Sequence, residues 1–238
     1  MIVTASLFFN ELDLLELRCH TLKGIVDAHV IIEATTTFTG KPKRLIYGET
    51  RERFSDFPII HEVVELPSVV DSPWDREHAS HAYLLHAVKR IDPEIVIWSD
   101  ADELARPDTV DRFKALKTEC ATLDLDHLIY FADRIRPDIR DLNPKIGYFD
   151  RDCYHQPWRG QTHWPVLDDA GWHFEYMGSR ENLMAKLEAI SHAPEEGCQA
   201  MRAAIARGDY PGFNRTVPYP RSALPIYQQK TGLLPIYG

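Results

Sequence analysis

The first hundred residues alternate between short apolar runs and amphipathic stretches, which predicts strands alternating with helices. Residues 1–9 and 28–33 are apolar runs that predict buried strands. Between them, Asn10 is placed as the N-cap of a helix, since apolar positions recur at helical spacing from Leu12 to Leu22. A strand–helix–strand unit of this kind favours a parallel sheet.

A second unit of the same kind follows in the chain. Residues 59–66 predict a third strand, and Ser72 with Pro73 and Asp75 predicts the start of a long helix. Residues 94–99 predict a fourth strand, which is placed at the centre of the sheet because its interior is wholly apolar. The sequence therefore predicts an α/β fold.

The second half of the chain is less regular. It predicts a helix over 110–117, a strand over 126–132, short strands and loops over 144–178, and helices over 181–190 and 198–207. Ser179 is placed as the cap of the helix at 181–190. The tail from Pro211 onward is rich in proline, which predicts an extended, docked segment rather than a helix.

The net charge of the chain limits the classes of molecule that it is expected to bind. Lys and Arg number 27 against 36 Asp and Glu, so the formal net charge is −9. An acidic chain is a poor candidate for binding nucleic acid or an anionic membrane, but it can bind an anionic small molecule when a metal supplies positive charge. No membrane span or signal peptide is predicted, and four widely spaced cysteines favour reduced thiols and a cytoplasmic location.

The segment SDADEL at 99–104 is the main candidate for chemistry. It follows the predicted central strand, and ligands of open parallel sheets bind beyond the carboxyl ends of the strands. Asp100 and Asp102 project the same way from an extended chain, roughly 6–7 Å apart at Cα, so both can converge on one divalent ion. Mn²⁺ or Mg²⁺ suits oxygen ligands and a substrate diphosphate. The alternative is a solvated acidic loop in which Asp102 or Glu103 caps a short helix.

Several segments, in order over most of the chain, resemble the family-17 glycosyltransferases, the group containing the enzymes that add bisecting N-acetylglucosamine to N-glycans. The matching segments are FFNELDLLELR at 8–18, VIIEATTTFTGKPK at 30–43, PWDRE at 73–77, WSDADEL at 98–104 and AGWHFEYMGSRENLMAKL at 170–187, with weaker similarity in RGDYPGF at 207–213 and the tail. The stretch 105–165 matches only loosely, and it is where acceptor contacts are expected. The acceptor therefore stays open.

The resemblance implies a GT-A type fold with a mostly parallel, Rossmann-like central sheet flanked by helices. It implies a single domain over 1–238, in which about 1–104 bind the nucleotide sugar and about 105–238 form the acceptor half and a docked tail. It also implies metal-dependent, inverting transfer of a sugar, expected to be N-acetylglucosamine from UDP-N-acetylglucosamine, to a glycan or other hydroxyl acceptor. The oligomeric state is not predicted.

Site residues follow from the same resemblance. Asp102 is expected to bind the metal directly, and Asp100 to contact the metal or the donor ribose. His173 and His192 are candidate third metal ligands, because neutral imidazole binds such ions. Judged from the pattern alone, His192 is also consistent with a histidine at a helix C-terminus and His173 with a half-buried strand residue.

An inverting reaction needs a base that takes the proton of the acceptor hydroxyl. Glu181 is the candidate, because it matches the family's acid after the GWH segment and lies in the first turn of a predicted helix, where the helix dipole favours a charged carboxylate. Asp168, Asp169 and Glu103 are the substitutes.

Donor contacts are expected after the second strand. Glu33, Thr39 and Lys41 are placed near the nucleotide base and phosphates, and Arg76 is placed to hold a phosphate or orient Asp100. Lys41 and Arg76 are equally consistent with solvated surface charges.

Glycine and aromatic residues of the second half are further candidates. Gly171 and Trp172 are predicted to form a tight loop where donor and acceptor meet. Aromatic faces suit sugar rings, and two of five clustered aromatics are expected to touch a ligand. These five are Tyr154, Trp158, Trp164, Trp172 and Tyr176.

Two other functions compete with glycosyl transfer. A nucleotidyltransferase or nucleotide-sugar hydrolase would use the same carboxylates without a sugar acceptor, but the Gly-rich basic loop usual near the first strand of a nucleotidyltransferase is not present. A non-catalytic carbohydrate-binding protein on the same scaffold would bind no nucleotide through a metal, and the intact D-x-D motif argues against it.

Overall fold

The computed structural model describes residues 1–150 and 163–237, whose strands form one mixed sheet flanked by helices. The strands are β1 (Ile2–Phe8), β2 (Ala28–Ala34), β3 (Ile59–Val64), β4 (Ile95–Trp98), β5 (Glu103–Ala105), β6 (Cys120–Ile129), β7 (Arg134–Ile135), β8 (Lys145–Tyr148), β9 (Val166–Glu175) and β10 (Val217–Pro218). The α-helices are α1 (Leu12–Thr21), α2 (Ile46–Thr50), α3 (Pro73–Ile91), α4 (Thr109–Leu116), α5 (Arg180–Ala189), α6 (Glu196–Ala206) and α7 (Ile226–Thr231). The predicted α/β fold is confirmed.

The N-terminal half supplies the parallel part of the sheet. Its strands are ordered β3-β2-β1-β4, and every pairing among them is parallel. Beyond β4, β8 pairs antiparallel with β4 and with β6, so one sheet continues into the second half. In that half β9 lies parallel to β6 and antiparallel to β5. The carboxyl ends of β1, β2 and β4 consequently share one edge of the sheet.

The central strands of the N-terminal half are buried in the way that is typical of a parallel sheet. Every residue of β2 and β4 is buried, as expected for strands covered on both faces. Leu84 and Val88 of α3 pack against Val3, Val30 and Val96 of three neighbouring strands. The predicted start of α3 is confirmed, since the backbone N–H of residue 72 donates to the carboxylate of residue 75 at 2.9 Å.

The start of α1 differs from the prediction. Asn10 was expected to cap the helix, but the N-cap residue is Glu11. The carboxylate of Glu11 accepts the backbone N–H groups of Phe9 at 3.0 Å and Asn10 at 3.1 Å. The carboxylate thus holds the chain that enters the helix, and it makes no side-chain hydrogen bond to the first turn of α1.

Gly171 and Trp172 lie inside a ten-residue strand, β9, and not in a tight loop as predicted. The expectation of short strands and loops over 144–178 is wrong for this part, because β9 is held between β5 and β6. A strand paired on both sides is stabilised by partners that are distant in sequence and that local composition does not indicate.

The proline-rich tail also contains a helix, contrary to the prediction. Pro225 immediately precedes α7, where its fixed φ and missing N–H are compatible with a helix start. Gly232 ends the helix in the left-handed conformation, with a φ of 61°. None of the helices in the described ranges is sufficiently long and apolar to cross a membrane.

Gly171 permits the close approach of β5 and β9, and its replacement is expected to destabilise the fold. A Cβ added at Gly171 would lie 2.0 Å from the backbone oxygen of Leu104. Gly171→Ala should therefore lower the free energy of unfolding by roughly 2–4 kcal/mol, measured by urea denaturation.

The matched control is Gly197→Ala in α6, where the added Cβ meets nothing within 4 Å. That variant should be as stable as the wild type or up to about 1 kcal/mol more stable. A Gly171→Ala protein that unfolds at the wild-type urea concentration would contradict the steric explanation.

Candidate functional site

Asp100 and Asp102 line one cleft of about 380 Å³ beside the carboxyl ends of β1 and β2. The apolar wall of this cleft includes Leu7 from β1 and Ile32 from β2, and α3 and α5 contribute to its sides. A mostly apolar wall with a few charged groups at one end is typical of a small-molecule site. We call this space the main cleft.

A buried arginine holds the turn that carries the two aspartates. Arg18 of α1 is 1% exposed and donates to the backbone oxygens of Asp100 and, at 3.0 Å, of Glu103. The carboxylate of Glu103 accepts the backbone N–H of Asp100 at 2.6 Å. Because a buried charge must be compensated by hydrogen bonds and opposite charges, α1 and the acidic turn are fixed to each other.

Asp102 is a buried, ionised carboxylate. The ammonium of Lys186 lies 2.6 Å from its Oδ2, and Nε2 of His173 lies 3.8 Å from its Oδ1. Burial by itself would raise the pKa of Asp102, but the charges of Lys186 and His173 hold that pKa well below its usual range. Burial would likewise lower the pKa of Lys186, but the charges of Asp102 and Glu11 raise it.

His173 belongs to a second buried group beside Asp102. It is paired with Glu103 across β5 and β9, and its Nδ1 lies 2.7 Å from Oδ2 of Asp141. Burial would lower the pKa of His173, but Asp141 and Asp102 raise that pKa to about 10. Without a metal, these carboxylates favour the protonated ring. His173, Asp141 and Glu103 each offer one possible ligand atom, and these atoms lie within 4.8 Å of one another.

The other candidate histidine lies at the rim of the main cleft. His192 is exposed, and its Nδ1 lies 2.8 Å from a carboxylate oxygen of Glu195. Its ring also packs edge-on against Trp74, with 4.5 Å between ring centroids. Of the two histidines, His173 is the one that contacts Asp102.

The residues expected to bind the donor at the end of β2 and in the loop after it do not line the main cleft. Glu33 is fully buried and bonds His61 at 3.0 Å and Lys43 at 3.2 Å. Thr39 and Lys41 both bond Glu188 of α5. These contacts hold the loop after β2 in place, and other residues of that loop form the wall.

Arg76 has a similar role in the structure. Its guanidinium donates to the backbone oxygens of Phe38 at 3.1 Å, Pro67 at 2.9 Å and Ser68 at 2.9 Å. Through these bonds Arg76 ties the loop after β2 to the segment before α3, and it does not line the main cleft.

The candidate bases lie in different places. Glu181 is exposed at the start of α5 and does not line the main cleft; hydrogen bonds from its own backbone N–H and from Ser179 lower its pKa. Asp168 pairs with Arg140 at 3.0 Å, and Asp169 pairs with Arg106. None of these three carboxylates faces the space beside Asp102.

Glu175, which sequence reasoning missed, lines the main cleft at the carboxyl end of β9. Its Oε2 lies 2.8 Å from Nε2 of His127, and 26% of its side chain is exposed. It is two residues beyond His173 on the same strand, so both side chains are on one face. The position of this acid, two residues after the histidine of the GWH segment, is the signal from which the sequence could have indicated it.

The aromatic candidates divide between core and cleft. Tyr176 lines the main cleft, whereas Trp172 is buried and its indole N–H donates to the backbone oxygen of Ala223 at 3.0 Å. Trp164 packs against the core under the parallel strands. Tyr154 and Trp158 lie outside the described residues.

Carboxylates outnumber basic side chains close to the acidic turn. Five carboxylates and three basic side chains of the described residues lie there. They are Glu11, Asp100, Asp102, Glu103 and Asp141 with Arg18, His173 and Lys186. The carboxylate oxygens are hard donors of the kind that a divalent cation prefers.

Comparison with known proteins agrees with the geometry. The model of Glycosyltransferase family 17 matches residues 1–202. No curated protein sequence matches the chain.

Two solved structures are similar to the chain at a general level. S. aureus TarS 1-349 is 12% identical, with 90% of this chain and 73% of that chain covered and a TM-score of 0.39. The inositol-1-phosphate CTP transferase from T. maritima is 15% identical, with 88% of this chain and 96% of that chain covered and a TM-score of 0.41.

Asp141 is expected to set the charge of His173. In Asp141→Asn the pKa of His173 should fall by at least about one unit from its value of about 10, measured by NMR titration of labelled histidine without metal. Because this pKa is higher in the folded than in the unfolded state, the protonated ring contributes stability that is complete below about pH 6.5 and lost as the pH rises through about 10.

The control is Asp138→Asn, which removes an exposed carboxylate that pairs with Arg136 at 2.8 Å. It should leave the titration of His173 unchanged. An unaltered pKa of His173 in Asp141→Asn would show that the charge comes from another neighbour.

Proposed function

The chain belongs to glycosyltransferase family 17, and from this premise we propose that it transfers N-acetylglucosamine from UDP-N-acetylglucosamine to a hydroxyl acceptor with inversion at the anomeric carbon. Membership makes the chain a glycosyltransferase, which uses a nucleotide-sugar donor and a sugar acceptor. The observation that carries the proposal is the presence of both aspartates of the D-x-D motif in one cleft at the carboxyl edge of the parallel strands.

The donor nucleoside is proposed to lie along the apolar wall of the main cleft. Phe9 and Phe38, which are partly exposed, offer apolar surface for the base, and Thr36 and Thr37 offer hydroxyls within the same wall. Their loop is braced from behind by Arg76. A preformed wall of this kind binds a nucleotide without first having to order itself.

The diphosphate is proposed to lie over the acidic turn. Asp100 and Asp102 would hold Mn²⁺ or Mg²⁺ there, and the ion would neutralise the negative charge that develops on the leaving diphosphate. The fit is supported by the carboxylate oxygens that the turn gathers beside the main cleft. Arg18 keeps the turn in one conformation through its bonds to two backbone oxygens.

The base is proposed to be Glu175 and not Glu181. Glu175 lines the main cleft, and His127 at 2.8 Å orients its carboxylate. Tyr176 beside it presents an aromatic surface to the same space, which suits a sugar ring. In this arrangement Glu175 would accept the proton of the acceptor hydroxyl as the bond to the anomeric carbon forms.

Donor binding should depend on a divalent ion and on Asp102. In calorimetric titrations with Mn²⁺, UDP-N-acetylglucosamine should bind the wild type, and Asp102→Asn should reduce the affinity at least about tenfold. Asp209→Asn, an exposed acid paired with Arg207 at 3.5 Å, is the matched control and should bind as the wild type does. Equal donor binding in the presence of a chelator would refute the metal site.

The same substitution, glutamate to glutamine, tests which of the two candidate bases accepts the proton. Glu175→Gln should retain donor binding but lower transfer at least about 100-fold, whereas Glu181→Gln should transfer at a rate within about threefold of the wild type. Release of UDP is measured with and without a panel of sugar acceptors. The reverse result would restore Glu181 as the base, and full turnover without any acceptor would favour a hydrolase.

A further inference from the structure

Lys186 is paired with the carboxylate that is proposed to bind the metal directly. Its ammonium lies 2.6 Å from Oδ2 of Asp102, the carboxylate expected to bind the ion directly. Helix α5 holds the lysine there, because Leu183 and Leu187 on either side of it are buried in the core. The proposed metal site therefore already contains a positive charge, supplied by the chain itself.

A divalent ion that binds Oδ2 of Asp102 competes with the ammonium group for that oxygen, because like charges at that distance repel strongly. Metal binding at this oxygen would consequently favour release of Lys186. The lysine has a flexible four-carbon stem, and its next carboxylate, Glu11, is only 3.7 Å away. It also borders both the main cleft and a neighbouring cavity of about 160 Å³, so there is space for the ammonium to move.

Two other basic side chains along the main cleft have their nearest carboxylates outside the proposed metal ligands. Lys43 is paired with the buried carboxylate of Glu33 at 3.2 Å, and His173 is paired with Asp141 at 2.7 Å. The nearest carboxylate of Lys186 is Asp102, so this lysine is the one with which the incoming metal would compete most directly.

We propose that Lys186 is a diphosphate-binding residue that is stored on Asp102 while the site is empty. It keeps Asp102 charged and ordered without metal, and when the divalent ion takes Asp102, the ammonium turns to the phosphate oxygens of the donor. An ammonium is a compact donor of charge-assisted hydrogen bonds, which phosphates accept well. The proposal rests on the metal site of the proposed function and adds a second cation on the donor.

The variant Lys186→Met keeps the apolar stem and removes the charge. Without nucleotide, its affinity for Mn²⁺, measured by calorimetry or electron paramagnetic resonance, should rise at least about tenfold because the competing ammonium is gone. With Mn²⁺ at saturation, its affinity for UDP should fall about tenfold, whereas its affinity for uridine, which has no phosphate, should not change. Lys114→Met, an exposed lysine of α4, is the control and should match the wild type in all three titrations.

A second measurement uses the wild type and needs no variant. Acetylation of Lys186 by acetic anhydride, quantified by peptide mass spectrometry, should increase severalfold when Mn²⁺ is added. It should then fall below the metal-free value when UDP is added with Mn²⁺. Acetylation of Lys114 should stay constant throughout.

The outcomes separate this inference from the function on which it rests. An unchanged or lower affinity of Lys186→Met for Mn²⁺, or no increase in acetylation of Lys186 with saturating Mn²⁺, overturns the role of the lysine and leaves the metal site intact. A wild type that binds UDP equally with a chelator overturns the metal site, and the displacement of Lys186 with it. Equal loss of UDP and uridine binding in Lys186→Met would show a structural role only.

Discussion

The structure depends on the neutralisation of carboxylates that the chain packs together at the end of β4. Asp102 and Glu103 are both almost fully buried, and ionised groups in such surroundings are costly, typically by several kcal/mol each, unless opposite charges reach them. The required cations come from three separate elements: Arg18 from α1, His173 from β9 and Lys186 from α5. The same electrostatic requirement therefore positions the helices and creates the cleft.

Hydrophobic spacing was enough to predict the parallel half of the fold. Strands β1, β2 and β4 are largely buried and helix α3 has a buried apolar face, so their pattern is visible in the sequence. The position of Asp100 and Asp102 at the edge of the sheet followed from the same pattern. Elements held by distant partners were not predictable, since β9 owes its length to pairing with β5 and β6 and not to its composition.

Of the charged residues that pair at the acidic turn, some can be recognised from the sequence and others cannot. Arg18 interrupts an apolar face of α1 between Leu15 and Leu22, and a lone arginine at such a position is a signal of a buried ion pair. Asp141 and Lys186 carry no comparable signal, because each reaches the site from an element whose placement only the complete fold decides. Glu33 and Arg76 show the opposite case. Both were expected to contact the donor, whereas in the structure their hydrogen bonds hold the loop that forms the wall of the main cleft.

Strand β8 joins the two ends of the sheet by bonding to β4 along one side and to β6 along the other. Any motion of the N-terminal parallel strands relative to the second half of the chain would have to break these backbone hydrogen bonds. Hinge closure of one half of the sheet on the other is therefore disfavoured. Changes on substrate binding would instead involve side chains and surface loops around a rigid frame, such as the exchange of ion pairs at the acidic turn.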